Sequence, residues 1–540
     1  MIRATLFLLV TTLSFLPSCY KSETEEKPAY GGHLTIGHYE PIDIINSVVS
    51  NSGTSGFLIH MAFNGLVKPD EKFYIVPDLA YKWETSKDGL KWRFYLREGV
   101  KFHDGIELTA EDVKFTYDLV KVPKYRGYYT QFFEPVKQVN IVDRYTIEMI
   151  LSQPYAPVLS GLNVGILPKH IYSGRNLRDP GVNKQPVGTG PFKVLEYSSS
   201  KATLEANRDY FKGRPFLDNV TFRIFKEQKT LFAKMMDGTV DTIIDTNPEN
   251  VDILKQVTYF KHYKPLRPFY FVLAFQHKEI FKDRRVRIAL NHAVNKKELL
   301  ENVLKNDGEI ASGTVYPGSW AFNKKIGPYP YNPRKALKLL HEAGWSDTNG
   351  NNILDKEGVE LKFTVLLKEG NAIQEKTLKY ILVDLNRIGV SIKTEKYFLK
   401  QFIESITKKK FDAILIDLVG RGDPDNNYRF WHSSQIEKGR NFFSYENEKI
   451  DKYLKEGRRV SEIDMRKKLY YQFQEEIFND PPGILLFWAN SLFVVHERFK
   501  GMKVHPNWIL DLKDWYVPEG SRQKKKTENG VQMAEERAEN

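Results

Sequence analysis

Hydrophobic and polar residues along this chain follow two different periods, which predict two kinds of element. Lys91 to Leu96 alternates with a period of two and predicts a β-strand. A further strand is predicted from Phe192 to Glu196, directly after the turn-forming residues 187–191. Thr109, with acidic residues at 111–112, is typical of a helix start, because its hydroxyl can cap free amides and acids favour that end.

Two later segments have the spacing of amphipathic helices. Asp283 to Leu299 places apolar residues on one face and predicts a single helix. Pro333 to Ala343 predicts another, which is opened by Asn332 and closed by Gly344. Strands and helices are mixed along the chain without internal repeats, so the predicted fold class is α/β.

Composition limits the possible classes of protein. A chain of 540 residues exceeds what one hydrophobic core usually supports, and its 41% of hydrophobic residues are enough to fill several. Lys and Arg exceed Asp and Glu by 80 − 68 = 12. This excess favours anionic neighbours in general and indicates no particular partner. A nucleic-acid partner is not expected. A single cysteine excludes a disulfide framework and a cysteine-built zinc site.

The amino-terminal residues predict export. Ala4 to Leu16 is almost wholly apolar but shorter than the roughly 18–20 residues that a spanning helix needs, so residues 1–18 are predicted to be a signal peptide. The run Leu-Pro-Ser-Cys that ends at Cys19 resembles a bacterial lipobox, in which the thiol is acylated. An uncleaved anchor is the alternative. Residues 19–30 would form a lipidated tether, and residues 521–540 a disordered tail. The expected location is the cell envelope, lipid-anchored to a membrane and exposed to the periplasm or the exterior.

Motifs of common enzymes are absent from the sequence. His341-Glu342 begins like the zinc motif His-Glu-x-x-His, but Trp345 stands at its fifth position. There is no Gly-x-Ser-x-Gly and no Walker loop. Gly188-Thr189-Gly190 lacks the third glycine of a dinucleotide fingerprint and is interpreted as a tight turn. We therefore expect no catalytic residues and no cofactor.

One loop has a weak resemblance to a calcium site. Asp347, Asn349, Asn351 and Asp355 place oxygen atoms at the first, third, fifth and ninth positions of an EF-hand-like loop. Gly358 stands at the twelfth position, where a calcium loop has a bidentate glutamate. An Asn/Gly-rich turn is the favoured interpretation, and calcium is the weaker one.

Four blocks in order carry a resemblance to a known family. They are residues 64–67 with 77–90, residues 96–113, residues 186–192 with 207–213, and residues 283–294. The second block begins Leu-Arg-Glu-Gly-Val-Lys-Phe-His-Asp-Gly and is the most recognisable of the four. On these blocks the chain resembles the family 5 extracellular solute-binding proteins, the peptide- and nickel-binding lipoproteins of bacterial ABC importers. The resemblance covers nearly the whole mature chain.

This resemblance implies an α/β, two-lobed periplasmic-binding-protein-like fold with a hinge and three structural domains. The implied limits are a discontinuous domain I (31–73, 187–276 and 497–520), an inserted domain II (74–186) and a second lobe, domain III (277–496). The implied function is capture of a small solute, an oligopeptide or a peptide-like and possibly anionic molecule, in an interlobe cleft. Its implied partners are the ABC permease and ATPase complex in the inner membrane. A sensory or surface-adhesion lipoprotein on the same fold and a periplasmic hydrolase are the alternatives.

The resemblance also indicates which residues face the cleft. Peptide-binding members place an aspartate after the position of Phe411-Asp412, where it pairs with the peptide's amino group. This chain has Gly420 or Arg421 there, depending on the direction of counting, so we expect weak binding of free-amine di- and tripeptides. Either Asp417 or Asp425 takes over the amine, or the ligand has no free amine at that end. An Arg421 that faces the cleft would suit a carboxylate or phosphate, and a solvent-facing Arg421 is equally open. The full set of candidate ligand-binding residues is Asn51, Ser52, Gly53, Thr54, Ser55, Tyr316, Trp320, Asp417, Gly420, Arg421, Asp423 and Asp425.

Overall fold

The computed structural model describes residues 27–50, 53–244, 257–420, 422–503 and 511–521. Within these ranges no helix has both the length and the apolar character needed to cross a membrane. The predicted signal peptide, Cys19 and all but one residue of the predicted tail lie outside the described residues.

The described strands are numbered here in chain order. Their bounds are β1 His33–His38, β2 Val67–Pro69, β3 Ile75–Pro77, β4 Ala80–Thr85, β5 Lys91–Leu96, β6 Val136–Asp143, β7 Thr146–Leu151, β8 Phe192–Tyr197, β9 Lys201–Ala206, β10 Asn219–Ile224, β11 Thr242–Ile243, β12 Phe260–Tyr263, β13 Leu266–Phe275, β14 Gly308–Ile310, β15 Asp355–Lys356, β16 Val359–Glu360, β17 Lys362–Lys368, β18 Ser391–Tyr397, β19 Ala413–Val419, β20 Gly483–Asn490 and β21 Phe493–His496.

The described α-helices lie between these strands. Their bounds are α1 Gly53–Ala62, α2 Ala110–Val120, α3 Thr130–Phe133, α4 Val158–Gly161, α5 Lys169–Tyr172, α6 Gln228–Met236, α7 Arg284–Ala293, α8 Lys296–Asn302, α9 Pro333–Glu342, α10 Ala372–Asn386, α11 Leu399–Thr407, α12 Asn426–Trp431, α13 Gln435–Lys438, α14 Glu448–Arg459 and α15 Ile463–Asn479.

Two lobes follow from the way these elements pair. One sheet has the order β12-β21-β11-β1-β10-β9-β8, and an antiparallel sheet has the order β4-β5-β7-β6. Their buried side chains merge into one core, so together they form the first lobe. The third large sheet, β14-β20-β13-β19-β17-β18, carries a hydrophobic core on each face and forms the second lobe. The predicted two-lobed α/β fold is confirmed.

The chain passes between the lobes at residues 264–265 and 491–492, which lie side by side. The Ser491 amide donates to the Pro265 carbonyl oxygen at 2.9 Å, so the two crossings are tied together. At both crossings, one strand pairs with the sheet of the other lobe and not with the lobe that the predicted domain limits assign to it. Strand β13, within predicted domain I, pairs with β19 and β20 of the second lobe. Strand β21, within predicted domain III, pairs with β11 and β12 of the first.

Local signals place several elements correctly. Strand β5 has the predicted bounds. Thr109 caps α2, and the side chain of Asp112 accepts a hydrogen bond from the Thr109 amide, which completes a capping box. Asn332 caps α9, and Gly344 follows that helix with φ of +89°, a left-handed conformation that favours glycine.

The single helix predicted from 283 to 299 is wrong, because the structure contains two helices there. Asp283 caps α7, as its acceptance of the Arg285 amide shows. After α7, Val294 adopts an extended conformation, and the side chain of Asn295 accepts the Glu298 amide to begin α8. Asparagine is among the strongest capping residues, and here that preference outweighs the continuing apolar pattern.

Candidate functional site

The cleft lies where the carboxyl ends of β17 and β19 meet the first lobe. A hairpin of β2 and β3 reaches across it. Phe73, at the tip of this hairpin, packs edge-on against Tyr316, which was predicted to bind the ligand, with ring centroids 5.4 Å apart. The Trp320 amide donates to the Lys72 carbonyl oxygen at 3.0 Å, and the Ala156 amide donates to the Arg458 carbonyl oxygen at 2.8 Å. The lobes therefore touch at two points beside the cleft.

The central cavity of the cleft has a volume of about 480 Å³ and walls from both lobes. Its wall includes α1 and the aromatic segment 128–132 from the first lobe, and Phe269 and residues 422–426 from the second. A space of this size between two lobes, with aromatic walls and a few polar groups, is typical of a small-molecule or peptide site.

The loop predicted from 51 to 55 contributes only in part to this wall. Gly53 lines the central cavity. Thr54 and Ser55 are fully buried and face the first lobe: the Thr54 hydroxyl donates to the Glu40 carbonyl oxygen at 2.8 Å, and Ser55 Oγ accepts the Asp43 amide at 2.8 Å. Asn51, Ser52 and Arg421 lie outside the described residues.

Asp423 lines the central cavity but is held by a buried arginine. Its two carboxylate oxygens accept hydrogen bonds from Arg466 Nη1 at 2.8 Å and Nη2 at 2.6 Å. Arg466 is fixed further by a hydrogen bond from Nε to the Gly457 carbonyl oxygen at 2.9 Å. This bidentate pair satisfies the charge of Asp423, which is therefore not free for a ligand ammonium group.

Asp425 lines the same cavity and faces a second arginine. Arg458 Nε lies 2.9 Å from Asp425 Oδ1. Burial raises the pKa of Asp425 to about 6, and Arg458 opposes that rise. Arg458 also donates to the hydroxyl of Tyr155 in the first lobe at 3.2 Å. Asp425 therefore belongs to an interlobe contact as well as to the cavity wall.

Packing explains why residue 420 is not the aspartate that peptide-binding members have. Gly420 is buried, and its amide donates to the Pro268 carbonyl oxygen at 2.9 Å. A Cβ atom at this position would lie 2.4 Å from the Trp488 ring, which is closer than real contacts allow. Only glycine fits, so no carboxylate can project from residue 420 unless Trp488 moves.

A second space, the hinge cavity, lies beside the two crossing segments and has a volume of about 480 Å³. Three cationic side chains line it, and the amino end of α10 adds the positive pole of a 15-residue helix. Lys264 is ion-paired with Asp307 in its wall. The other two cations are Arg267 and Lys368. The hinge cavity therefore has the electrostatic character of an anion site.

The predicted residue Asp417 lies on the hinge-cavity side of the second sheet. It is opposite Phe271, a hinge-cavity residue, in the β13–β19 ladder. The surrounding protein removes water from the Asp417 carboxylate and so raises its pKa, while the positive charges of Arg267 and Lys368 oppose the rise. The structure thus separates Asp417 from Asp423 and Asp425, which line the central cavity.

Sequence reasoning missed most of the cationic and aromatic wall. Tyr128, Tyr129 and Phe132 reach the central cavity from the four-stranded sheet's domain, far along the chain from every predicted cleft residue. Two adjacent tyrosines followed by further aromatics, in a segment of short helices, were a usable signal. Arg267 and Lys368 carried no such signal, because each is a single cation at the end of a largely apolar strand.

The predicted calcium loop uses its oxygen atoms internally. Asp347 accepts the amides of Gly350 and Asn352, at 2.8 and 3.0 Å. Asp355 accepts the amide and hydroxyl of Thr348, at 2.9 and 2.7 Å. Asn349 and Asn351 likewise accept amides two residues further on. These bonds are those of an Asn/Gly turn, and among the described residues no cluster of three His, Cys, Asp or Glu could hold a metal ion.

Comparison with known proteins agrees with this geometry. The family model described as bacterial extracellular solute-binding proteins, family 5 Middle, matches residues 74–439. The oligopeptide-binding protein AppA of Bacillus subtilis (strain 168) is 32% identical over 533 residues, which cover 95% of this chain and 98% of AppA.

Solved structures match over most of their length. The structure of Bacillus subtilis AppA in complex with a nonapeptide is similar with a TM-score of 0.72 at 32% identity, covering 91% of this chain and 100% of that one. NikZ from Campylobacter jejuni in complex with Ni(L-His) has a TM-score of 0.74 at 29% identity, covering 90% of this chain and 99% of NikZ. Among curated relatives, heme-binding protein A of Haemophilus influenzae is 30% identical over 465 residues, which cover 80% of this chain and 82% of that protein. The two solved structures thus hold ligands of very different chemistry on one fold.

Proposed function

Since this chain belongs to the family 5 bacterial extracellular solute-binding proteins, we propose that it captures an oligopeptide in the interlobe cleft and delivers it to the permease and ATPase of an ABC importer. The observation that carries the proposal is a cleft whose central and hinge cavities, each of about 480 Å³, are lined by residues of both lobes. Binding and release are its whole task, so no catalytic step is required.

The charges of the two cavities set the direction of the peptide. Lys264 is paired with Asp307, so Arg267, Lys368 and the amino end of α10 are the groups that favour the terminal carboxylate in the hinge cavity. The amino end then lies in the central cavity. There, both lining aspartates already face arginines, so a free ammonium group gains little from them. These two pairs support the expected weak binding of free-amine di- and tripeptides.

Peptide binding is expected to raise the thermal stability of the protein. A ligand that binds only the folded state raises Tm in proportion to the logarithm of its concentration. Purified protein should be heated with a random nonapeptide mixture, with nickel and histidine, and with haem as separate additions. We expect only the peptide mixture to raise Tm. A rise with haem or nickel–histidine, and none with peptides, would reject peptide capture and leave the family assignment intact.

We further propose that the protein is held at the cell envelope by acylation of Cys19. The support is the position of that residue, which ends an apolar run and precedes a polar segment. Cys19→Ser is expected to move the protein from the membrane fraction to the soluble envelope fraction, as measured by fractionation and immunoblotting. Ser18→Ala serves as the matched control and should remain with the membrane. Membrane retention of the Cys19→Ser protein would instead indicate an uncleaved anchor.

A further inference from the structure

A third space, here called the aromatic cavity, lies between the four-stranded sheet of the first lobe and α15 of the second. Its volume is about 460 Å³. Trp83 and Trp92 form one wall, and Trp320 with the apolar residues Leu159 and Ile463 forms much of the remainder. The proposed function assigns no role to these three tryptophans.

The aromatic cavity adjoins the central cavity. Phe73, Ile75 and Asp423 line both spaces, so the two share a wall at the tip of the β2–β3 hairpin and at the Asp423–Arg466 pair. An occupant of the central cavity that reaches past this boundary enters the aromatic cavity. A group that enters the aromatic cavity from the central cavity is therefore part of the same ligand.

The walls of the aromatic cavity define what it can accept. Its charged lining residues near the boundary are neutralised, because Arg466 holds Asp423 with both guanidinium nitrogens and lies over the Trp320 ring at 5.4 Å. Glu462 also lines the cavity beside Ser461, and its carboxylate accepts the Asp464 and Met465 amides at 3.0 and 2.7 Å. The remaining inner surface is largely indole ring and aliphatic carbon. Such a surface gains most from burying a large apolar group, and aromatic rings can also stack on it.

We propose that the aromatic cavity is a specificity subsite that receives one bulky apolar side chain near the amino end of a bound peptide. The inference rests on the proposed function and deepens it, since it assigns a side-chain preference to one position of the ligand. Burial of a phenylalanine side chain in this subsite favours that peptide over its alanine counterpart by about tenfold or more.

The test blocks the aromatic cavity from its solvent-exposed rim. Thr85 lines it from β4 and is exposed, so Thr85→Trp places an indole in the space without disturbing the core. Glu84 precedes it on the opposite face of the same strand, which makes Glu84→Trp the matched control. Ile463→Trp blocks the space from the other lobe and repeats the test if Thr85→Trp folds poorly.

Calorimetry would compare nonapeptides in which a single phenylalanine moves through an otherwise alanine-rich sequence. The expected result is one position near the amino end where phenylalanine binds about tenfold or more tightly, a preference that Thr85→Trp and Ile463→Trp remove and Glu84→Trp keeps. Peptide binding without any such preference, or a preference that survives both blocking variants, overturns the subsite alone. Failure of every peptide to bind the wild-type protein overturns the subsite together with peptide capture.

Discussion

Arg466→Met is expected to lower the free energy of unfolding by about 3–5 kcal/mol, because it leaves the carboxylate of Asp423 in the interlobe wall without its partner. The guanidinium group of Arg466 is buried and donates to both oxygens of Asp423 and to the Gly457 carbonyl oxygen. Methionine keeps much of the side-chain volume but none of these hydrogen bonds. Denaturant unfolding followed by circular dichroism would measure the loss.

Two variants show whether the loss comes from the unpaired charge. Lys468→Met removes an exposed cation from the same helix and should change stability by a few tenths of a kcal/mol at most. The double variant Asp423→Leu/Arg466→Met removes both charges and should recover a large part of the stability. A single variant as stable as the wild-type protein would contradict the assignment of this pair as a buried ion pair.

Lys368→Met is expected to weaken binding of a peptide with a free carboxyl terminus by about ten- to a hundredfold, since it removes a charge-assisted hydrogen bond in the hinge cavity. The same peptide with a terminal carboxamide should bind the wild-type protein with a comparable loss and should be almost insensitive to the variant. Lys368 ends β17, and its side chain lines the cavity beside Arg267.

The matched control is Lys362→Met, since Lys362 begins the same strand at the opposite end and is exposed. It should leave the affinities of both peptides unchanged in calorimetry. Acetylating the amino end of the peptide should also change its affinity little, because Asp423 and Asp425 are engaged by arginines. Equal affinity of the acid and amide peptides for the wild-type protein would show that the peptide carboxylate does not lie in the hinge cavity.

Elements fixed by neighbouring residues could be predicted from the sequence. Thr109 and Asn332 sit at helix starts because their side chains bond amides only two or three residues away. The same local rule was available at Asn295, where the periodic apolar pattern concealed it. The two-lobed fold could be inferred only because four sequence blocks resemble a known family in order, and not from periodicity alone.

Most of the cleft could not be predicted, because its chemistry depends on residues distant in sequence. Asp423 was expected to face a ligand, yet it is paired with Arg466 from a helix that no local pattern connects to it. The missing carboxylate at Gly420 is set by the ring of Trp488, which reaches it from another strand. The cations of the hinge cavity meet only when the crossing segments and the end of β17 come together.

The measurement that tests peptide capture most directly is native mass spectrometry of the full-length protein purified from its own host. Gentle ionisation preserves a ligand trapped in a closed cleft, and subsequent fragmentation identifies it. We predict a series of added masses that correspond to oligopeptides with free carboxyl termini. A single added mass that corresponds to haem or to a metal chelate, with no peptides present, would contradict the account.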